Sequence, residues 1–237
     1  MSNLLRLPPV TLAAEPQASA DLAAHRPGAF SEQRARELTR AAPVSARLQR
    51  ALRRADVLGT LRGVADAEQR VGLALDRLDP SWQVLHSVPV GSAHPVISHL
   101  VIGPGGVVTL LSRRHRRWRR DAASLDRVVA VIERDEMYID GLALPYLTQA
   151  RAQAWRAARA LSAAIGEPVH VRPAVVLVGC DDVRFHALPE GVEVLTRARL
   201  VKRLAALQPT LSADRVDRTF AAARRGAVWA DAPWATD

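Results

Sequence analysis

Apolar and polar positions recur along this chain with two different periods. Three short stretches rich in β-branched residues, WQVLHSVPV (82–90), VISHLVI (96–102) and VVTLLS (107–112), are separated by Gly, Pro and Ser clusters and predict three consecutive strands. A further strand pair is expected near 127–133 and 136–143 around a charged turn. The uninterrupted run PAVVLVG, 173–179, predicts a strand buried on both faces, and VEVLT, 192–196, another. Helical spacing takes over elsewhere. From Ser45, Leu48, Leu52, Ala55 and Leu58 share one face while Arg47, Arg50 and Arg54 share another. A second helix is expected from about Val64 to Leu78, with Val64, Val71, Leu75 and Leu78 as its apolar stripe. A long one runs from Tyr146 to Ile165 on Leu147, Ala150, Ala154, Ala157 and Leu161. Two more are expected at about 198–207 and 213–225, the last capped by Ser212. The order helix, three strands, helix, strand predicts an α/β fold with a mixed β-sheet flanked by helices.

One residue breaks the pattern of the second helix. Glu68 lies in the apolar stripe, four positions after Val64 and three before Val71. A carboxylate on a core-facing stripe must be paired, coordinated or protonated, because burying an isolated charge is too costly; the alternative is that Glu68 reaches past the helix edge into water. The hairpin that follows adds to this. With GPGG, 103–106, as its loop, Ile102 faces Val107, and Ser98 falls opposite Leu111. Opposed side chains have Cβ atoms about 4.5 to 5.5 Å apart, and alternation points Leu111 and Arg113 the same way. Ser98, Leu111 and Arg113 should therefore cluster on one face, where the helix carrying Glu68 can reach them.

Composition narrows the classes. The 237 residues carry 33 Lys and Arg against 24 Asp and Glu, a formal charge of +9, which favours polyanionic partners such as nucleic acid or anionic lipid. Lys202 is the only lysine, so nearly all the positive charge is guanidinium, suited to forked contacts with phosphate; a GC-rich bacterial genome produces the same bias. The lone Cys180 excludes an internal disulfide and a Cys-based zinc cage, and ends an apolar run as a buried strand residue would. No apolar run approaches the roughly 20 residues of a membrane span, and Arg6, Pro8 and Pro9 interrupt the only candidate export signal. The expected location is cytoplasmic, with no membrane partner. Residues 1–30, rich in Pro and Ala, read as a flexible tail, and 31–62 as a basic helical segment. Between residues 29 and 62 eight Arg stand against Glu32, Glu37 and Asp56, an excess that a solvated face explains slightly better than a binding face.

The stretch from Gly63 to Ala230, about 70% of the chain, resembles the nuclease-related domain (NERD) family, whose core belongs to the PD-(D/E)xK endonuclease-like superfamily. The resemblance rests on AEQRVGLALDRL with its glutamate, WQVLHSVPVG, ISHLVIGPGGVVTL and LPYLTQARAQAWRAARAL with its glutamine; HLVIGPGGVVTL is the most specific piece. It implies a restriction-endonuclease-like αβββαβ core over residues 63–230, with 231–237 a C-terminal tail. In the family pattern an acid stands where Ser98 precedes His99, and an acid or amide followed two residues later by lysine stands at Leu111 and Arg113. Two carboxylates facing across the hairpin would ligate a divalent cation that activates water, and the lysine would steady the nucleophile. All three positions are changed here: serine is a poor Mg²⁺ ligand, leucine is none, and arginine cannot accept a proton. Only Glu68 and Gln149 keep the family's residue types, which implies the fold without the activity. In place of the metal, Glu68 is expected to pair with Arg113 beside Leu111.

No catalytic residue is therefore assigned beyond the degenerate positions Glu68, Ser98, Leu111, Arg113 and Gln149, and no cofactor is expected. Mg²⁺ or Mn²⁺ enters only if the chain is an active endonuclease with unconventional ligands. His86, His94 and His99 lie close in sequence, but imidazoles suit Zn²⁺ or Cu²⁺, and ordinary strand and loop histidines explain them better. No Gly-x-Ser-x-Gly elbow is present, and GPGG joins strands instead of opening a helix, so it is not a phosphate loop. After the hairpin comes RRHRRWRR, 113–120, with six arginines around a tryptophan. Arg114, Arg116, Arg117, Arg119 and Arg120 can neutralise phosphates and Trp118 can stack on a base; a solvated loop without a partner explains the run equally well. Three readings remain: a catalytically inactive nuclease-like domain binding nucleic acid or a nucleic-acid-processing complex, an active metal-dependent endonuclease, and a protein-interaction module retaining only the fold.

Overall fold

The computed structural model describes residues 21–40, 47–91, 96–115 and 127–230. A short 3-10 turn, Leu22–Ala24, leads into helix α1 (Ala29–Arg40), and α2 (Arg47–Leu75) follows. Strands β1 (Gln83–Pro89), β2 (Val96–Gly103) and β3 (Gly106–Arg114) come next, then β4 (Val129–Glu133), β5 (Glu136–Ile139) and β6 (Leu142–Ala143). Helix α3 (Tyr146–Ile165) precedes β7 (Val171–Val178), β8 (Asp182–Ala187) and β9 (Glu193–Thr196). A 3-10 turn (Arg197–Arg199) and the helices α4 (Leu200–Ala205), α5 (Ala213–Ala223) and α6 (Ala227–Ala230) complete the described chain.

The central sheet has five strands in the order β1-β2-β3-β7-β9. The first three pair antiparallel as consecutive hairpins, whereas β7 lies parallel to β3 and β9 parallel to β7, reached through α3 and its preceding strands. The sheet is mixed and carries helices on both faces, an α/β fold consistent with a restriction-endonuclease-like core. On one face Ala67, Val71 and Leu75 of α2 and Leu200 and Leu204 of α4 pack on Val101, Leu110, Ala174 and Val176. On the other, Ala154, Ala157 and Leu161 of α3 meet Leu100, Ile102 and Val107 together with Val216 of α5 and Trp229 of α6. A second, four-stranded sheet, β6-β5-β4-β8, closes a third cluster of Ile132, Met137, Leu147, Val175 and Leu111.

The hairpin register is the expected one, with Ile102 opposite Val107, but its loop is shorter: Gly103 pairs with Gly106, leaving Pro104 and Gly105 at the turn. Close approach dictates the glycine at 103. A Cβ there would meet the Trp82 ring at 2.3 Å, far inside van der Waals contact.

Four expectations change. The two helices expected before the strands are one continuous α2 through Gly59 and Gly63. Each interior glycine costs about 1 kcal/mol relative to alanine, which burial of Ala67, Val71 and Leu75 outweighs. The expected tail is packed from residue 21 onward: Leu22 is 1% exposed and its amide donates to the Arg224 carbonyl at 2.8 Å. Cys180 lies just past β7, half-buried, its thiol donating to the Val128 and Asp182 carbonyls. Strand β8 was not expected, because it sits at a sheet edge and buries little of its short apolar alternation. Among the described residues no helix is long and apolar enough to cross a membrane.

Candidate functional site

The five degenerate positions converge where α2, β2, β3 and the first turn of α3 meet. Strand β2 stops pairing with β3 beyond His99, while β3 continues alongside β7 to Arg114. Ser98 therefore stands where the two strands part company. Opposite it in register, Ser87 of β1 has a left-handed backbone (φ 49) and interrupts the β1–β2 ladder between His86 and Val88. Glu68, 3% exposed, enters this region from α2 and does not reach solvent.

Its partners are hydroxyls. Ser31 of α1 donates to Glu68 Oε2 at 3.3 Å, and the Ser98 hydroxyl bonds the same carboxyl group. Burial pushes the Glu68 pKa above the ordinary carboxylate value, against the two serine hydrogen bonds and the charge of Arg113. The direct ion pair expected between Glu68 and Arg113 is not formed: among the described residues no ion pair involves Glu68, and Arg113 acts on it only through space. Arg113 is instead drawn to α3, where Nη2 donates to Gln149 Oε1 at 3.0 Å and the guanidinium lies 5.4 Å from the Tyr146 ring centroid. Its Nη1 donates to its neighbour's carbonyl, Ser112 O, at 2.9 Å. The cause is the i, i+3 spacing of Tyr146 and Gln149, which presents an aromatic face and an amide oxygen side by side.

Leu111 belongs to the core. It is 1% exposed and packs in the third cluster with Leu147, Ala150, Val175 and Leu177. The metal fit can be judged from these donors. Mg²⁺ demands near-octahedral oxygen coordination; Leu111 supplies no oxygen, Arg113 brings a positive charge, and the single carboxyl is already hydrogen-bonded by two serines. Among the described residues, no group of three or more His, Cys, Asp or Glu is arranged to hold a metal ion. The residues present do not fit a divalent cation.

The histidines divide. His86 and His99 share a hydrogen bond between their Nδ1 atoms at 2.8 Å with rings edge to face, and burial lowers both pKa values, that of His99 strongly. His94 lies outside the described residues. So do Arg116, Arg117, Trp118, Arg119 and Arg120. Arg114, the described member of that group, bonds Asp66 of α2 at 2.9 Å, and Asp66 also takes Arg70 at 2.8 Å.

Two participants carry no signal in the sequence. Ser31 belongs to a segment 37 positions before Glu68 and reaches it only because Gly28, at φ +80, lets α1 dock against α2: a Cβ there would fall 2.9 Å from the Ala65 carbonyl oxygen. Tyr146 is one residue from the predicted stripe and gains its role only through Arg113.

Residues 64–178 match the family model of the nuclease-related domain (NERD), the stretch that holds Glu68, the hairpin and Gln149. No curated protein and no solved structure matches the chain.

Proposed function

Since residues 64–178 carry a nuclease-related domain of the PD-(D/E)xK superfamily, we propose that the protein binds nucleic acid, or a complex that processes it, without cutting it. The observation that carries this reading is the rewiring of the site: a buried carboxyl held by Ser31 and Ser98, a leucine inside the core, and a guanidinium tied to Gln149 and Tyr146. Hydrolysis assisted by a metal needs an ion to activate water and stabilise charge on the phosphate. These side chains supply a single oxygen ligand of suitable charge. Binding needs less: guanidinium groups that neutralise phosphates and release counterions. Arg114, Arg116, Arg117, Arg119 and Arg120, with Trp118 to stack on an unpaired base, are the residues we assign to it.

The test is a titration of single- and double-stranded DNA with and without Mn²⁺. Salt-sensitive binding is expected, weakened when Arg116, Arg117, Arg119 and Arg120 are replaced by Ala, with no product that depends on metal. Cleavage of supercoiled plasmid that Glu68→Ala abolishes would instead make the protein an active endonuclease. Negligible affinity for DNA at low salt would leave the fold as a protein-interaction module.

A further inference from the structure

Helices α1 and α2 run side by side and leave a groove of about 520 Å³ between them. Its floor is small, Ala35 and Ala65, and its walls carry Glu32, Arg36, Arg40, Arg62 and Asp66. The two acids are already occupied. Asp66 is shared by Arg70 and Arg114, and Glu32 receives Gln69 and the outer, 71% exposed Arg36 at 3.4 Å. Arg40 and Arg62 are exposed and have no carboxylate within ion-pair distance among the described residues. Counting the arginines that grip Asp66 from outside, five guanidinium groups stand around two carboxylates. Arg114 ties this surface to the end of β3.

We infer that the α1–α2 groove holds the phosphate backbone of the bound nucleic acid, with Arg36, Arg40 and Arg62 as phosphate contacts. The inference rests on the nucleic-acid reading above and adds a location that the family match does not cover, since α1 and Arg62 lie before residue 64. Three features select the ligand. The free charge is guanidinium, whose fork matches phosphate oxygens and which sheds water more readily than an ammonium. The alanine floor offers no pocket for the side-chain anchors by which a peptide is gripped in a groove. A concave channel between helices also suits a strand better than a flat lipid surface. Such contacts position the backbone and read no sequence.

The experiment uses the full chain with Arg36→Gln, Arg40→Gln and Arg62→Gln combined. A control of equal charge, Arg184→Gln, Arg199→Gln and Arg218→Gln, changes exposed arginines elsewhere. Fluorescence anisotropy with duplex and single-stranded oligonucleotides between roughly 50 and 200 mM salt gives the dependence of log K on log salt. If the groove holds three phosphates, the slope should fall by about 0.9 per lost contact on duplex, or about 0.7 on a single strand. The loss should be the same for unrelated sequences, with the control slope unchanged and equal thermal unfolding of all variants. An unchanged slope in the groove variant, or an equal drop in the control, overturns the groove assignment while leaving nucleic-acid binding in place. So does a variant that loses binding to phosphatidylserine vesicles but keeps its affinity for DNA. Absence of binding by the unmodified protein overturns both this inference and the functional reading beneath it.

Discussion

Glu68 is a carboxyl buried at 3% exposure among hydroxyls. In a metal site a carboxylate is wanted ionised; here burial raises its pKa, and only two hydroxyls and the distant charge of Arg113 oppose that. A folded-state pKa above the unfolded one gives stability that is complete below the ordinary carboxylate value and is lost as pH rises through the folded pKa. Glu68→Gln keeps an oxygen acceptor for Ser31 and removes the charge. Its urea midpoint at pH 7.5 should equal or exceed that of the unmodified protein, and the difference should shrink as pH falls toward 4.5, the ordinary glutamate value. A loss of more than about 1 kcal/mol at pH 7.5, the scale of one hydrogen bond, would mean that the ionised carboxylate is used by the fold or by a ligand.

At the scale of elements, the β1–β2 pair holds its own pH dependence. His86 and His99 face each other across the ladder and hydrogen-bond through their Nδ1 atoms, and burial lowers both pKa values, with Asp76 opposing the effect at His86 and the neighbouring His86 adding to it at His99. Both folded pKa values lie below the unfolded 6.5, so the unfolded chain binds protons first. The contribution is complete above about pH 6.5 and is lost as pH falls below it. Replacing both histidines by Phe should flatten the fall in unfolding midpoint between pH 7.5 and 5.5, read as the difference from the unmodified protein so that the opposite trend of Glu68 cancels. An undiminished slope would assign the pH sensitivity to other groups. The same hairpin was largely legible in the sequence. Turn glycines and period-two alternation indicate its register from His99 to Gly106, but not that β2 and β3 part at Ser98, which leaves Ser98 unpaired with Leu111. The partners of those residues were not legible, because Glu68–Ser31 and Arg113–Tyr146 contacts depend on how helices dock rather than on any local period. The two apolar stripes read as two helices belong to one, because nothing in either stripe marks that the helix runs on between them.

For the molecule as a whole, the segment before α1 does what no local pattern announces: it ties the two ends of the described chain together. Asp21 pairs with Arg225 in an isolated antiparallel β-bridge of the backbone, and its carboxylate takes the Arg224 guanidinium, which lowers the Asp21 pKa to about 2. His25 Nδ1 donates to the Ser87 carbonyl at 3.1 Å, and the Ser87 hydroxyl donates back to the Arg26 carbonyl at 3.1 Å, fastening the strap across β1 before α1 delivers Ser31 to Glu68. Of these ties the one expected to dominate is apolar. Leu22 is 1% exposed within the cluster of Trp229, Val88 and Ala223, whereas both partners of the Asp21–Arg224 pair are solvent-accessible and screened. Leu22→Ala should therefore lower stability by about 2 to 5 kcal/mol, the range for emptying a leucine site in a packed core. Asp21→Asn should leave the melting temperature nearly unchanged at moderate salt. Thermal and urea unfolding of the two variants would check this; a large effect of Asp21→Asn with a small one of Leu22→Ala would mean that charge, not burial, holds the strap in place. If Leu22→Ala also raises hydrogen exchange at the α1 amides, the strap and the helix that covers Glu68 open as one unit.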